Sequence, residues 1–140
     1  MAVEINIWAV VLAALSTMVV GSIWYARPVF GNYWMRVARV DEEAAKSRGI
    51  WPILVTVLVS FITAAVLAGA ITIADDFAAS GSFLANALIT GVLLWAGFTA
   101  ARVVTHDAFE GRPAGLTTLT LAHELVTVLV MSLIIGLMGV

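Results

Sequence analysis

The sequence predicts an all-α integral membrane protein, a bundle of four membrane-spanning helices with an amphipathic interfacial helix between the first two spans. Hydrophobic residues make up 62% of the 140 residues and charged residues only 11%, against roughly 45–50% and about 25% in soluble globular proteins. All seven Lys and Arg residues lie in two short segments between long apolar stretches. These observations give both the fold class and an expected orientation in the membrane.

Four apolar stretches are long enough to cross a bilayer, because about 20 helical residues span a hydrocarbon core of about 30 Å. The remaining residues are too few for a separate soluble module. We therefore predict a single transmembrane domain over 1–140 with spans at 5–25, 50–74, 83–104 and 116–140.

The charged loops orient the chain. The basic residues lie between Arg27 and Arg48 and between Arg102 and Arg112, whereas the N-terminal tail and the loop after the second span carry acids and no Lys or Arg. Short loops rich in Lys and Arg stay on the cytoplasmic side of a membrane. We expect the plasma (cytoplasmic) membrane, with both termini outside and both basic loops in the cytoplasm.

Small residues recur at four-residue spacing in the first span, which places them on one helical face. They are Ala9, Ala13, Thr17 and Gly21. In lipid, where apolar burial does not drive helix association, small side chains allow close packing. Gly97 and Ala101 repeat this spacing in the third span. Ordinary bundle packing is the favoured interpretation, ahead of a dedicated dimer motif.

The connection between the first two spans is amphipathic. A helix that starts at Pro28 places aromatic and aliphatic residues from Phe30 to Val40 on one face and arginines on another. Such a helix lies in the membrane surface, with its arginines at the lipid headgroups. The predicted headgroup contacts are Arg27, Arg36, Arg39 and Trp34. Asp41 is then predicted to cap a short helix that runs through Ser47.

The third helix is predicted to continue beyond Val104 until Gly111 and Pro113 stop it. The loop that follows is very short, so the third and fourth helices should form an antiparallel hairpin.

A metal site near the end of the third helix is a weak possibility. His106 and Glu110 share a helical face there, and histidine with carboxylates can bind a metal. Two histidines and no cysteine make a thin ligand set. We favour headgroup contacts or an ion-pair network of Arg102 and Glu110, and we predict no metal.

Glu124 is the most informative polar residue, because it lies about 12 Å along the helix beyond Leu116. Acids within a membrane usually face the bundle interior and suggest a functional site. Other polar residues complete a candidate polar site. Some lie on the same helix as Glu124, some lie at a similar depth in the other spans, and Arg102 lies nearer the surface. Its members are Glu124, His123, Thr120, Thr127, Arg102, Thr99, Thr17 and Ser60.

The sequence leaves the role of Glu124 open. A paired or protonated carboxyl that fixes the helix register through hydrogen bonds is the favoured interpretation. A proton or cation relay is the alternative. Burial alone favours the neutral carboxyl of Glu124, whereas the long side chain of Arg102, if it reaches Glu124 across the predicted hairpin, favours the ionised form.

Three motifs carry a family resemblance: Gly21–Trp34 (GSIWYARPVFGNYW), Trp95–Phe98 (WAGF) and Phe109–Pro113 (FEGRP). In their order and spacing they resemble the domain of unknown function 1761 family, whose members are small, mostly bacterial membrane proteins with four predicted spans. The resemblance covers nearly the whole chain. It implies the four-span fold and brings no activity with it.

Composition excludes several functions. A net charge of −2 argues against a nucleic-acid partner, and the absence of cysteine excludes thiolate catalysis and Cys-based zinc sites. No nucleophile elbow, phosphate-binding glycine loop or zincin motif is present. We expect a protein that is not an enzyme and has no cofactor. Its expected partners are the lipid bilayer and either itself or other membrane subunits. The alternatives are a small proton- or cation-coupled transporter that uses Glu124 and a lipid-binding membrane protein.

Overall fold

The structure is a computed structural model that describes residues 2–140, and within that range it contains helices and no strand. The α-helices are α1 (Ile7–Trp24), α2 (Asn32–Val37), α3 (Glu42–Ser47), α4 (Trp51–Phe77), α5 (Phe83–Leu94), α6 (Ala101–Glu110) and α7 (Ala114–Met138). Two π-helical segments, Arg27–Gly31 and Trp95–Ala100, lead into α2 and join α5 to α6. The predicted all-α fold is confirmed.

Four helices are long and apolar enough to cross a membrane. They are α1, α4, the continuous helix Phe83–Glu110, and α7. The continuous helix consists of α5, the second π-helical segment and α6. We call Phe83–Glu110 the third span. Its continuation past Val104 to Glu110 confirms the predicted extension, and Gly111 ends it in the left-handed conformation at φ 66°. The chain is a multi-pass membrane protein.

The helices form a four-membered ring in which α1 and α5 each contact both α4 and α7. We call the end where α1 finishes and α7 begins the basic end, because all seven Lys and Arg residues lie in the segments Arg27–Arg48 and Arg102–Arg112 that surround it. The opposite end, with Glu4, Asp75 and Asp76, is the acidic end.

Close packing is concentrated toward the acidic end. The buried core there combines small residues of α1, α4 and α5 with larger ones of α4 and α7, among them Ala9, Ala13, Ala64, Ala68, Ala87, Leu67, Ile71, Met131 and Ile135. At Gly91 the approach of α5 to α7 is so close that a side chain would collide with Ser132 Oγ and press on Val128. The small residues therefore set the distances between helices.

The small-residue face of α1 is used inside the subunit. Ala9 and Ala13 are fully buried and Thr17 is buried, whereas Gly21 is half-buried beside α7. The structure thus places this predicted packing face within the bundle.

The interfacial segment, Arg27–Val40, folds back against the end of α1. Its π-helical turn needs glycine at position 31, because a Cβ there would collide with the backbone of Tyr25 and Ala26. Phe30 then packs on Trp24 with ring centroids 4.6 Å apart. The aromatic face of this segment therefore contacts protein.

The short helix α3 (Glu42–Ser47) follows as predicted. The Asp41 side chain accepts a hydrogen bond of 3.0 Å from the backbone N–H of Glu43, which confirms the predicted cap.

Candidate functional site at the basic end of the bundle

Glu124 and His123 form a pair on α7. The distance between His123 Nδ1 and Glu124 Oε1 is 3.6 Å, and the side chains are 16% and 40% exposed, respectively. That distance is beyond hydrogen-bond range. Any attraction between the two groups is therefore ionic, and it requires a protonated imidazole.

Aromatic rings enclose the imidazole of His123. Its ring centroid lies 5.0 Å from that of Tyr25 and 5.9 Å from that of Trp24. The Nε2 atom is buried and makes no hydrogen bond to any residue of 2–140. A buried polar atom without a partner is costly. The end of α1 therefore contributes Trp24 and Tyr25 to this site.

The orientation of Glu124 follows from helix geometry. Met131 lies two helical turns after Glu124 on the same face of α7, and Met131 is buried in the core. Glu124 therefore faces the interior of the ring of helices. It is nevertheless 40% exposed, because the ring is not closed at this level.

The other predicted polar residues divide into two groups. Thr17 and Ser60 are buried and joined by a hydrogen bond of 2.8 Å between their hydroxyls. Thr127 is buried and donates to the carbonyl of His123 at 2.9 Å. Thr120 and Thr99 are half-buried, and neither side chain hydrogen bonds to another described residue. The structure thus links two helices directly through Thr17 and Ser60.

Arg102 is not joined to Glu124. Arg102 is exposed and forms no ion pair or side-chain hydrogen bond with any residue of 2–140. The proposed network of Arg102 with Glu110 is also absent from this range, because Glu110 Oε2 accepts from Arg112 Nε at 2.6 Å. Arg112 follows Glu110 closely in the turn, whereas Arg102 lies two helical turns away.

The hairpin turn is held by polar contacts. The hydrogen bond to Glu110, and then the opposite charge of Glu110, raise the pKa of Arg112. Asp107 accepts a hydrogen bond of 2.6 Å from Thr117, which ties the ends of the third span and α7 together. His106 is exposed. Within residues 2–140 no three His, Asp or Glu side chains are placed to hold a metal ion.

The predicted headgroup residues have mixed environments. Arg27 is exposed and pairs with Glu42 at 3.2 Å, and the Arg36 guanidinium lies 5.4 Å from the ring centroid of Tyr33. Arg39 is exposed. Trp34 is half-buried and packs edge-on against Tyr25 at 5.1 Å between ring centroids.

On one side of the basic end the helices stand apart. In the segment Trp51–Val59 every residue except the half-buried Val57 is exposed. In the segment Val92–Glu110 no residue is buried. No Cα atom of α4 lies within 8 Å of one in Trp95–Glu110. We call the surfaces of Trp51–Val59 and Trp95–Glu110 the open face.

The parts of the open face formed by Trp51–Val59 and Trp95–Ala101 are mainly apolar and include small residues. Phe98 is 75% exposed, and Leu58 is 64% exposed. A Cβ on Gly97 would have no atom within 4 Å, and Ala101 is exposed. The small residues of the third span that the sequence identified therefore lie free on this surface, unlike those of α1.

Sequence reasoning missed several contacts of the site. Trp24 and Tyr25 are not members of the predicted polar site, yet both pack on His123. Trp95 donates from Nε1 to the carbonyl of Leu121 at 3.1 Å, a helix-to-helix bond within the membrane. A tryptophan in mid-span is the one sequence signal that points to such a bond, because a buried indole N–H needs an acceptor.

Comparison with known proteins gives one match. A family profile described as "Protein of unknown function (DUF1761)" matches residues 8–136, which confirms the resemblance seen in the motifs. No curated protein and no solved structure matches the chain.

Proposed function

This chain belongs to the DUF1761 family, whose description assigns no activity, and on that premise we propose a non-enzymatic membrane protein that binds another membrane-spanning subunit through its open face. The open face is the observation that supports the proposal. In a membrane, exposed apolar side chains contact lipid and do not by themselves favour association with another helix. The exposed small residues Gly97 and Ala101, however, allow a second helix to approach closely and gain packing contacts.

The partner we propose is a second copy of the chain. Most oligomers of soluble proteins are symmetric homo-oligomers, and twofold dimers are the commonest kind; we take the same preference as the starting point here. In a twofold dimer the open face of each subunit would cover that of the other. An accessory role in a larger complex is the alternative, in which the same face would bind a different subunit.

Native mass measurement of the protein in mild detergent tests this proposal. We expect a dimer, and we expect Ala101→Leu to weaken its association by about tenfold, the effect of losing about 1.4 kcal/mol of packing. Ala65→Leu is the matched control, because Ala65 is also exposed but lies outside the open face. A monomer at every concentration, with no protein copurifying from native membranes, would contradict both forms of the proposal.

We propose further that the protein lies in the plasma (cytoplasmic) membrane with both termini outside. The support is the restriction of Lys and Arg to the basic end. The chain has no cysteine, so single cysteines can report sidedness. In intact cells an impermeant thiol reagent should label Val3→Cys and leave Ser47→Cys unlabelled until the membrane is opened. The reverse pattern would overturn this orientation.

A second candidate, proton- or cation-coupled transport, is supported by the half-exposed Glu124 on the interior face of α7 beside His123. In liposomes the candidate requires proton or solute flux that Glu124→Gln abolishes. Glu110→Gln, which removes an exposed carboxylate at the hairpin turn, is the control. Flux that is absent, or that survives Glu124→Gln, would eliminate this candidate and leave Glu124 a role in helix register.

A further inference from the structure

The side of the bundle away from the open face carries a groove between the interfacial segment and α7. Its apolar part, beside residues 115–122 of α7, is an open cavity of about 520 Å³. Trp24, Phe30 and Tyr33 form one wall, and α7 forms the other through Gly115, Leu119 and Ala122. The lining is almost entirely hydrocarbon, so this part suits an apolar chain.

The outer part of the groove is polar. A second cavity, of about 360 Å³, lies between the end of α2 and the turn before α7, and its lining includes Arg39, Glu110 and Arg112. The two cavities follow one another along α7, because Gly115 lines the first and its neighbour Leu116 lines the second. Where they meet, the Tyr33 hydroxyl lies against α7 at Gly115. The groove is therefore amphipathic along its length.

Arg39 is the free cation of this groove. Arg112 is already neutralised by Glu110 at 2.6 Å and Asp107 at 3.9 Å, whereas Arg39 forms no ion pair with any residue of 2–140. One guanidinium at the polar mouth is therefore available for an anion.

The backbone of Arg39 is a second, independent observation. Arg39 has φ 52°, and the N–H of Val40 donates to the carbonyl of Met35 at 3.0 Å, as in a helix that ends in a left-handed residue. Glycine is the usual residue at such a position. An arginine adopts this conformation at a cost in backbone strain, and such strain often accompanies a binding role of the side chain.

We propose that this groove binds one membrane glycerophospholipid, with its phosphate on Arg39 and one acyl chain between the aromatic wall and α7. The position supports this occupant, because the groove lies beside the ends of two membrane spans, where headgroups meet acyl chains. The negative phosphate complements the unpaired guanidinium. Since Arg39 is the one guanidinium without an ion pair among the described residues that line the groove, the site recognises the phosphate rather than the net charge of the headgroup.

Native mass measurement in a lipid-free detergent, with defined lipid added, tests the proposal. We expect the wild-type chain to retain one dioleoylphosphatidylglycerol per subunit. Dioleoylglycerol, which has the same chains and no phosphate, should bind about tenfold more weakly or not at all, because it lacks the charged hydrogen bond. Dioleoylphosphatidylethanolamine should bind within about threefold of dioleoylphosphatidylglycerol, because both carry the phosphate.

Two substitutions test the two ends of the groove. Arg39→Asn removes the cation and keeps a residue that tolerates positive φ; we expect about tenfold weaker phospholipid binding. Arg48→Asn, at a neighbouring exposed arginine, is its control and should change nothing. Ala122→Phe fills the apolar cavity and should abolish binding, whereas the same substitution at exposed Ala65 should not.

Equal binding of dioleoylglycerol and phospholipid would overturn the proposal, as would wild-type affinity in Arg39→Asn. Wild-type affinity in a folded Ala122→Phe variant would also overturn it. If Ala122→Phe does not fold, the comparison of the two lipids and the Arg39→Asn variant still decide the matter. Because none of these variants alters the open face, the result is independent of whether the chain dimerises.

Discussion

Gly91 and Gly97 lie less than two turns apart on the same span, yet they belong to different regions of the molecule. At Gly91 the chain is so close to α7 that Ser132 Oγ occupies the space where a side chain would be, whereas at Gly97 that space is empty to 4 Å. The first glycine belongs to the closed half near the acidic end. The second belongs to the open face near the basic end.

The difference shows what small residues do in a membrane bundle. In the closed half they are already covered, and their contribution is to the stability of the subunit. On the open face they contribute nothing to the isolated subunit and are available to another helix. The same residue type at similar spacing therefore has two roles, and burial distinguishes them.

The largest expected effect is on stability at these two glycines. Gly91→Leu should destabilise the subunit by about 3 kcal/mol, because overpacking a close helix contact forces the backbones apart. Gly97→Leu should not destabilise the subunit, because nothing crowds a Cβ at that position and leucine favours a helix more than glycine does. Unfolding in mixed micelles, at dilutions where the wild-type chain is monomeric, measures both.

Equal losses at the two positions would show that the third span packs as tightly near Gly97 as near Gly91. The open face would then not exist in the isolated subunit.

A smaller effect is expected from two threonines. Thr17→Val removes the buried hydroxyl that hydrogen bonds Ser60 at 2.8 Å, and it should cost about 1 kcal/mol of unfolding free energy, as interhelical hydrogen bonds in membranes do. Thr56→Val removes an exposed hydroxyl that bonds only the carbonyl of Pro52, and it should cost less than about 0.5 kcal/mol.

The same unfolding assay, with a double-mutant cycle of Thr17→Val and Ser60→Ala, measures the coupling between the buried hydroxyls. A coupling of zero would mean that Thr17 and Ser60 do not hold α1 to α4.

The smallest effect is expected at the hairpin turn. Because Glu110 raises the pKa of Arg112, the pair's contribution to stability is complete below the ordinary pKa of arginine and declines only as the pH rises through the raised value. Both values are far above neutral. Thermal midpoints of wild-type and Glu110→Gln protein should therefore show the same pH dependence between about pH 7 and 9. If the difference between the two thermal midpoints grew across that pH range, the pairing of Arg112 with Glu110 would not account for it.

Much of the fold could be predicted from the sequence, because apolar length and the positions of Gly, Pro and Lys or Arg are local signals. The third helix ends at Glu110 where Gly111 follows, and Asp41 caps α3. Each of these features depends on a few neighbouring residues. The family resemblance depended on motif order and was likewise visible in the sequence.

The site was less predictable, because it depends on which helices face each other. The sequence placed Glu124 inside the membrane but could not show that Tyr25 and Trp24 would surround its neighbour His123. That contact arises from the packing of α1 against α7. Nor could the four-residue spacing of small residues show that Gly97 would be exposed and not packed against another helix.

The most direct test of the central claim is thiol cross-linking of this cysteine-free chain in its native membrane. Single cysteines at Gly97, Phe98 and Ala101 probe the open face, and Ile89 and Val66, which are 57% and 65% exposed, probe lipid-facing positions of the closed half. With a short bifunctional thiol reagent we expect covalent dimers from the open-face positions and none from the two controls. Monomers at all five positions, or dimers formed equally at the controls, would contradict assembly of two copies through the open face.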